Sequence, residues 1–133
     1  MNRVVILEGA RTPFGKFGGS LSSLQASDLG GIAIKAALEK ANVTPSDVGE
    51  VIIGTVLQAG QGQIPSRQAA SKAGIPWIVK TETINKVCAS GMRSITLGSQ
   101  IIRLGDEEVI VAGGMESMSN APYYLPQGRF GLR

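Results

Sequence analysis

Apolar residues recur along this 133-residue chain in two rhythms: short runs rich in β-branched residues, and clusters at three- and four-residue spacing. Val4 to Leu7 is such a run, bounded by Glu8-Gly9, and predicts a buried strand. The stretch from Arg11 to Ser23, with Pro13, Gly15, Gly18 and Gly19, predicts a loop. From Ser27 to Ala41 the spacing of Leu29, Ile32, Ala33, Ala36 and Ala37 is helical. Ser27 suits the N-cap, Asp28 the first turn and Asn42 the C-terminal stop. Val51 to Val56 predicts a second strand, and Pro65 opens a short helix that ends at Gly74. Lys80 to Asn85 predicts a third strand, and a helix follows from about Cys88 to Leu104, stopped by Gly105. Glu108 to Ala112 predicts a fourth strand, closed by Gly113-Gly114.

The resulting order is β-α-β-α-β-α-β. Strands alternating with helices predict an α/β fold with a mainly parallel sheet and right-handed crossovers. The near-continuous apolar runs Val51–Val56 and Val109–Ala112 suit strands buried on both faces.

The last helix departs from ordinary amphipathic patterning. Between Ala89 and Ile102 its only charge is Arg93, while Met92, Ile95, Leu97, Ile101 and Ile102 point in several directions. A helix apolar all round is a buried helix. Gly91, Ser94 and Gly98 form a row of small residues that admits another backbone at close range. A domain of this size seldom encloses a whole helix, so a second domain or subunit is expected over its other side.

Composition narrows the function. Hydrophobic residues make up 43% and charged residues 17%, values of a globular protein rather than a disordered one. Thirteen Lys and Arg against ten Asp and Glu are scattered without a cluster, which argues against nucleic acid as a partner. The longest charge-free stretch, Val51 to Ser66, is broken by glycines and polar residues and does not suit a membrane span. The N-terminal apolar run is too short for a secretory signal, so the expected location is cytoplasmic. There is no His, and Cys88 is the one Cys. Neither a Ser-His-Asp nor a Cys-His arrangement can be completed within the chain, and neither a disulfide nor a Cys-rich metal site is expected.

Cys88 carries the chemistry that remains. It lies at a strand-to-helix turn, where ligands bind in α/β sheets, and at a helix start whose dipole and free N–H groups favour a thiolate and can receive an oxyanion. The competing reading is a small buried hydrophobe. Gly9 with Gly15-Lys16 misses the phosphate-loop spacing by one residue and has Phe17 in place of Ser or Thr. Gly60-Gln61-Gly62 reads as a flexible turn rather than a dinucleotide loop. Glu116 reads as a solvated or structural carboxylate paired with a nearby Arg, with a pocket-lining role as the alternative. Met92, Met115 and Met118 read as core filler, and Tyr123, Tyr124 and Phe130 as an oligomer contact.

Three stretches carry a family likeness. Ile84-Asn85-Lys86-Val87-Cys88-Ala89-Ser90-Gly91-Met92, followed by Ser94-Ile95, resembles the acyl-enzyme signature of thiolases. Gly113-Gly114-Met115-Glu116-Ser117-Met118-Ser119-Asn120-Ala121-Pro122 is similar to the stretch after their fourth strand, and Ala10-Arg11-Thr12-Pro13-Phe14-Gly15-Lys16-Phe17-Gly18-Gly19 to their N-terminal loop. The resemblance implies the N-terminal half of a thiolase-like fold, a mostly parallel mixed sheet, with residues 1–119 as the incomplete α/β domain. Residues 120–133 would begin a loop and oligomerisation segment.

The resemblance further implies an acyltransferase, an acetyl-CoA C-acetyltransferase or 3-ketoacyl-CoA thiolase. Cys88 would be the nucleophile that carries the acyl group as a thioester, and its backbone N–H an oxyanion donor. Coenzyme A thioesters would be substrates, with no permanently bound cofactor and no metal. A thiolase chain is about three times this length, and its second half supplies the activating His and a second Cys. The absent His is then the mark of an absent half, the chain's end a truncation, and the fragment alone inactive. Arg93 stands where Lys is more usual. A homodimer pairing the strand Lys80–Asn85 with its mate, or a homotetramer through the tail, is implied as well. Alternatives are another condensing enzyme of the superfamily, of the ketoacyl synthase kind, and a non-catalytic binding or assembly module.

Overall fold

The computed structural model describes residues 3–132. Three strands, β1 (Glu50–Gly54), β2 (Lys80–Ile84) and β3 (Ile110–Gly114), form one sheet in the order β2-β1-β3, with both pairs parallel. Three helices, α1 (Ala26–Ala41), α2 (Pro65–Lys72) and α3 (Ser90–Leu104), connect and cover them.

The central strand explains the layering. Val51, Ile52 and Ile53 are all buried, as a strand with both faces covered requires. Val51 and Ile53 join a cluster with Ile34 and Leu38 of α1, Ala69 and Ala70 of α2, and Met115. By the two-residue alternation, Ile52 and Gly54 face the opposite side, where α3 crosses. Helices α1 and α2 pack closely because Gly30 and Gly31 lie at their contact. A methyl group on Gly30 would stand 3.2 Å from the Ala69 Cβ and 2.6 Å from the Met115 sulfur.

Helix α1 starts at Ala26, and its N-cap lies two residues before the predicted one. Gln25, not Ser27, is the N-cap, and its N–H donates to the Asp28 carboxylate at 2.9 Å. Asn42 ends the helix in the left-handed region, at φ 51°, as expected. Helix α2 starts at Pro65, and α3 ends at Gly105, φ 86°, both as the sequence predicts.

Several expectations are corrected. Val4–Leu7 forms no strand: Val5, Ile6 and Leu7 are exposed, and the sheet has no place for them among the described residues. β-propensity expresses a fit to a neighbouring strand and a buried face, and here both are missing. Among the described residues the sheet therefore has three strands rather than four, and no antiparallel pair makes it mixed. Gly113 and Gly114 lie inside β3, opposite Ile53 and Gly54, instead of closing it.

Helix α3 is not buried all round. Only Ser90, Ser94 and Gly98 are buried, and they face this chain's own sheet. A methyl group on Gly98 would stand 3.1 Å from Ile110, and Gly91 lies against Gly114. The row of small residues thus receives the strand β3, while Met92 and Ile95 on the outer side are exposed.

Candidate functional site

Cys88 sits in the turn that joins β2 to α3, and it is exposed. Within this chain it is not packed as a buried small hydrophobe. The helix proper begins at Ser90, two residues later than predicted, because the intervening turn has a conformation of its own. Val87 takes φ 50°, the left-handed region, which a β-branched residue adopts only when its surroundings hold it there.

Those surroundings are two side chains. Asn85 Oδ1 accepts the Val87 N–H at 2.9 Å, and Asn85 Nδ2 donates to the Val56 carbonyl at 3.3 Å. Ser90 Oγ donates to the Val87 carbonyl at 2.6 Å and accepts the Lys86 N–H at 2.7 Å. The Ser90 N–H also donates to the Val87 carbonyl, at 3.0 Å. Ser90 is buried, whereas Val87 and Cys88 are exposed.

The helix start beside the thiol keeps free donors. Its N-cap is Ala89, which has no side-chain oxygen to cap with. Among the described residues no acceptor meets the N–H of Cys88, Gly91 or Met92. Unpaired N–H groups at a helix start favour negative charge brought near them.

Close backbone packing fixes this end of α3. A methyl group on Gly54 would lie 2.4 Å from the Ser90 carbonyl carbon. Ser94 Oγ donates to the carbonyl of Gly113 at 2.9 Å.

Glu116 anchors the loop after β1. Its carboxylate accepts the N–H groups of Val56 at 2.9 Å and Leu57 at 3.0 Å, together with the Thr55 hydroxyl at 3.2 Å. It is structural, as one sequence reading had it, but its partners are two backbone N–H groups and a hydroxyl, not an Arg. The Val56 carbonyl in turn receives Asn85, so the loop end of β3 is linked by hydrogen bonds to the Cys88 turn.

The three signature stretches meet in space. The Gly18 N–H donates to Ser119 Oγ at 2.9 Å, joining the N-terminal loop to the segment after β3. Asn120 Nδ2 donates to the carbonyls of Ser22 and Leu24 and to Ser117 Oγ. Met115 is buried, as core filler should be, whereas Met92 and Met118 are exposed. Tyr123, Tyr124 and Phe130 are exposed, and no contact here accounts for them. Gly60 and Gly62, with φ of 76° and 80°, make a turn as expected. Lys16, of the rejected phosphate loop, is exposed.

Sequence reasoning missed Asn85, Ser90 and the left-handed Val87. The available signal was an Asn at a strand end, two residues before the residue whose N–H it takes, which is the spacing of a side-chain-closed turn.

A parallel α/β domain presenting one thiol at a strand-to-helix turn is the class that fold and site define. The chain belongs to the thiolase family: the family described as Thiolase, N-terminal domain, matches residues 4–133. It is 56% identical over 130 residues to an acetyl-CoA acetyltransferase of Schizosaccharomyces pombe, covering 98% of this chain and 33% of that protein. It is 59% identical over 128 residues to a mitochondrial acetyl-CoA acetyltransferase of Xenopus tropicalis, covering 96% of this chain and 30% of that one. A thiolase from Ascaris suum, solved in complex with coenzyme A, superposes with a TM-score of 0.89 at 42% identity, covering 96% of this chain and 34% of that chain. The chain thus spans about a third of the length of the relatives it matches.

Proposed function

We propose that this chain is the acyl-accepting part of an acetyl-CoA acetyltransferase, with Cys88 as the nucleophile. The observation that carries the proposal is the exposed single thiol in a braced turn, beside N–H groups that no acceptor among the described residues uses. The names borne by relatives at 56% and 59% identity support the reaction class, and the coenzyme A in the Ascaris suum complex supports the substrate class.

The chemistry is covalent acyl transfer. The Cys88 thiolate attacks the carbonyl carbon of an acyl-CoA, forming a bond from Sγ to that carbon. The negative charge passes to the carbonyl oxygen, where the Cys88 N–H can donate. The oxygen's electrons then re-form the carbonyl, and the C–S bond to coenzyme A breaks. Coenzyme A leaves as a thiolate and takes up a proton. A second acetyl-CoA, deprotonated at its α carbon, attacks the acyl group and returns Cys88 as a thiolate; thiolysis is the reverse. Splitting one difficult substitution into two thioester exchanges is what a cysteine nucleophile provides.

The chain has no His and no second Cys, so the groups that take the thiol proton and the α proton lie outside residues 1–133. The exposed outer side of α3, with Met92 and Ile95, suits the face on which such a part would rest. The outer edge of β2 has no strand partner among the described residues and suits pairing with a second copy.

The test is a graft. Residues 1–133, placed in the Schizosaccharomyces pombe relative in exchange for its matching third, should sustain thiolysis of a 3-ketoacyl-CoA. Cys88→Ala in that graft should lower the rate by at least about a thousandfold. Undiminished thiolysis by the Cys88→Ala graft would overturn the assignment.

A further inference from the structure

We propose that Asn85 and Ser90 are positioning residues for Cys88, acting by holding Val87 in the left-handed region. The role assigned to the thiol rests on the function proposed above, but the conformational claim stands on hydrogen bonds and can be read without turnover.

The argument begins with Val87. Its branched Cβ makes φ 50° costly, and it is exposed, so packing does not compel the conformation. What holds it is polar. Asn85 Oδ1 takes its N–H, while the Ser90 hydroxyl and N–H both donate to its carbonyl. Each partner is itself fixed. Asn85 is tied to the Val56 carbonyl, and Ser90 is buried with its hydroxyl also accepting the Lys86 N–H.

The direction of the Ser90 hydroxyl distinguishes positioning from ordinary helix capping. A serine at a helix start usually accepts one of the helix's own free N–H groups. Ser90 is the first helical residue, and its hydroxyl points back into the turn, onto Lys86 and Val87. The Gly91 and Met92 N–H groups are left without an acceptor among the described residues, beside Cys88. The serine therefore stabilises the bend that presents the thiol and leaves unpaired the donors that a cap would have used.

Relaxation of Val87 to an ordinary negative φ would redirect the next residue, because one backbone dihedral sets the course of the chain that follows. Cys88 would then lose its fixed relation to the free N–H groups.

The experiment measures alkylation of Cys88 by iodoacetamide at fixed pH, well below the melting temperature, with Tm recorded for every variant. Cys88 is the only thiol in the chain, so the signal is unambiguous. Asn85→Ala and Ser90→Ala should each lower the alkylation rate by about tenfold. Adding Val87→Gly to either variant should restore most of that rate, because glycine adopts a positive φ without the side-chain penalty. Asn85→Asp keeps the acceptor for the Val87 N–H but loses the donor to the Val56 carbonyl and adds a negative charge near the thiol, so its rate should fall between those of the parent and Asn85→Ala, which covers the case of an alanine variant that does not fold. The proposal is overturned if the alanine variants lower Tm but leave the rate unchanged, or if Val87→Gly restores nothing. An alkylation pattern as expected, alongside a Cys88 that never carries an acyl group, would sink the proposed function and leave the positioning intact.

Discussion

Ser94 donates its hydroxyl to the carbonyl of Gly113 at 2.9 Å, fastening α3 to the strand it crosses, one turn beyond the Cys88 loop. Its single proton is shared with the Gly91 carbonyl, 2.7 Å from the same oxygen, so the hydroxyl bridges helix and strand where both are reduced to glycine. Gly54, Gly91 and Gly114 let helix and sheet backbones approach at this point, and Ser94 supplies the polar link between them.

This contact predicts a steep penalty for filling it. In Gly54→Ala the new methyl group would stand 2.4 Å from the Ser90 carbonyl carbon, against backbone that cannot rotate away. We expect a loss of about 2–3 kcal/mol, read from the urea midpoint, with iodoacetamide labelling of Cys88 altered as the helix start is displaced. Unchanged stability would mean that the helix lies farther from β1 than the structure places it.

Glu116 predicts a second penalty of a different kind. Glu116→Gln conserves shape but brings an amide donor toward the N–H groups of Val56 and Leu57, which need an acceptor. Loss of about 1–3 kcal/mol is expected, since a part-buried donor is left unpaired. Amide hydrogen exchange at Val56 and Leu57 should quicken before global unfolding does. Equal exchange in parent and variant would contradict the assigned role.

Asp28 gives a pH dependence with a definite sign. Its hydrogen bond from Lys72, followed by that from the Gln25 N–H, holds the carboxyl below its ordinary value of 3.8. A group whose folded pKa is depressed contributes stability above its unfolded value and loses it as pH falls through the folded one. Asp28→Asn should therefore lower stability at neutral pH, by about 0.5 kcal/mol because both ends of the pair meet solvent. The difference should close as the pH is taken below 3.8. A gap that persists in acid would show that the loss comes from the cap geometry and not from the charge.

The sequence made much of this legible, and for physical reasons. Helix α1 was readable because apolar residues repeat at helical spacing and Asn42 tolerates the left-handed stop, but the residues that pack are Ala26, Ser27, Gly30, Gly31, Ile34 and Leu38, whereas Ile32 of the expected set is exposed. Strand β1 was readable because burial on both faces demands Val51-Ile52-Ile53 in succession. Val4–Leu7 misled because strand preference describes a residue's fit to a partner strand that this chain does not provide. Gly113 and Gly114 misled because glycine suggests a turn, whereas both lie in β3 and Gly114 makes room for the crossing helix at Gly91. The thiol itself was legible from position and from motif. The bracing by Asn85 and Ser90 was not, because a left-handed Val87 contradicts its own local preference and is imposed by side chains on either flank.

The central claim is that Cys88 carries the acyl group, and trapping that group tests it most directly. An active graft of residues 1–133, mixed with acetyl-CoA, quenched in acid and digested, should yield the Cys88 peptide heavier by one acetyl group. The modification should vanish when free coenzyme A is added before the quench. An active graft whose Cys88 peptide stays unmodified, or keeps its acetyl group in the presence of coenzyme A, would contradict the account.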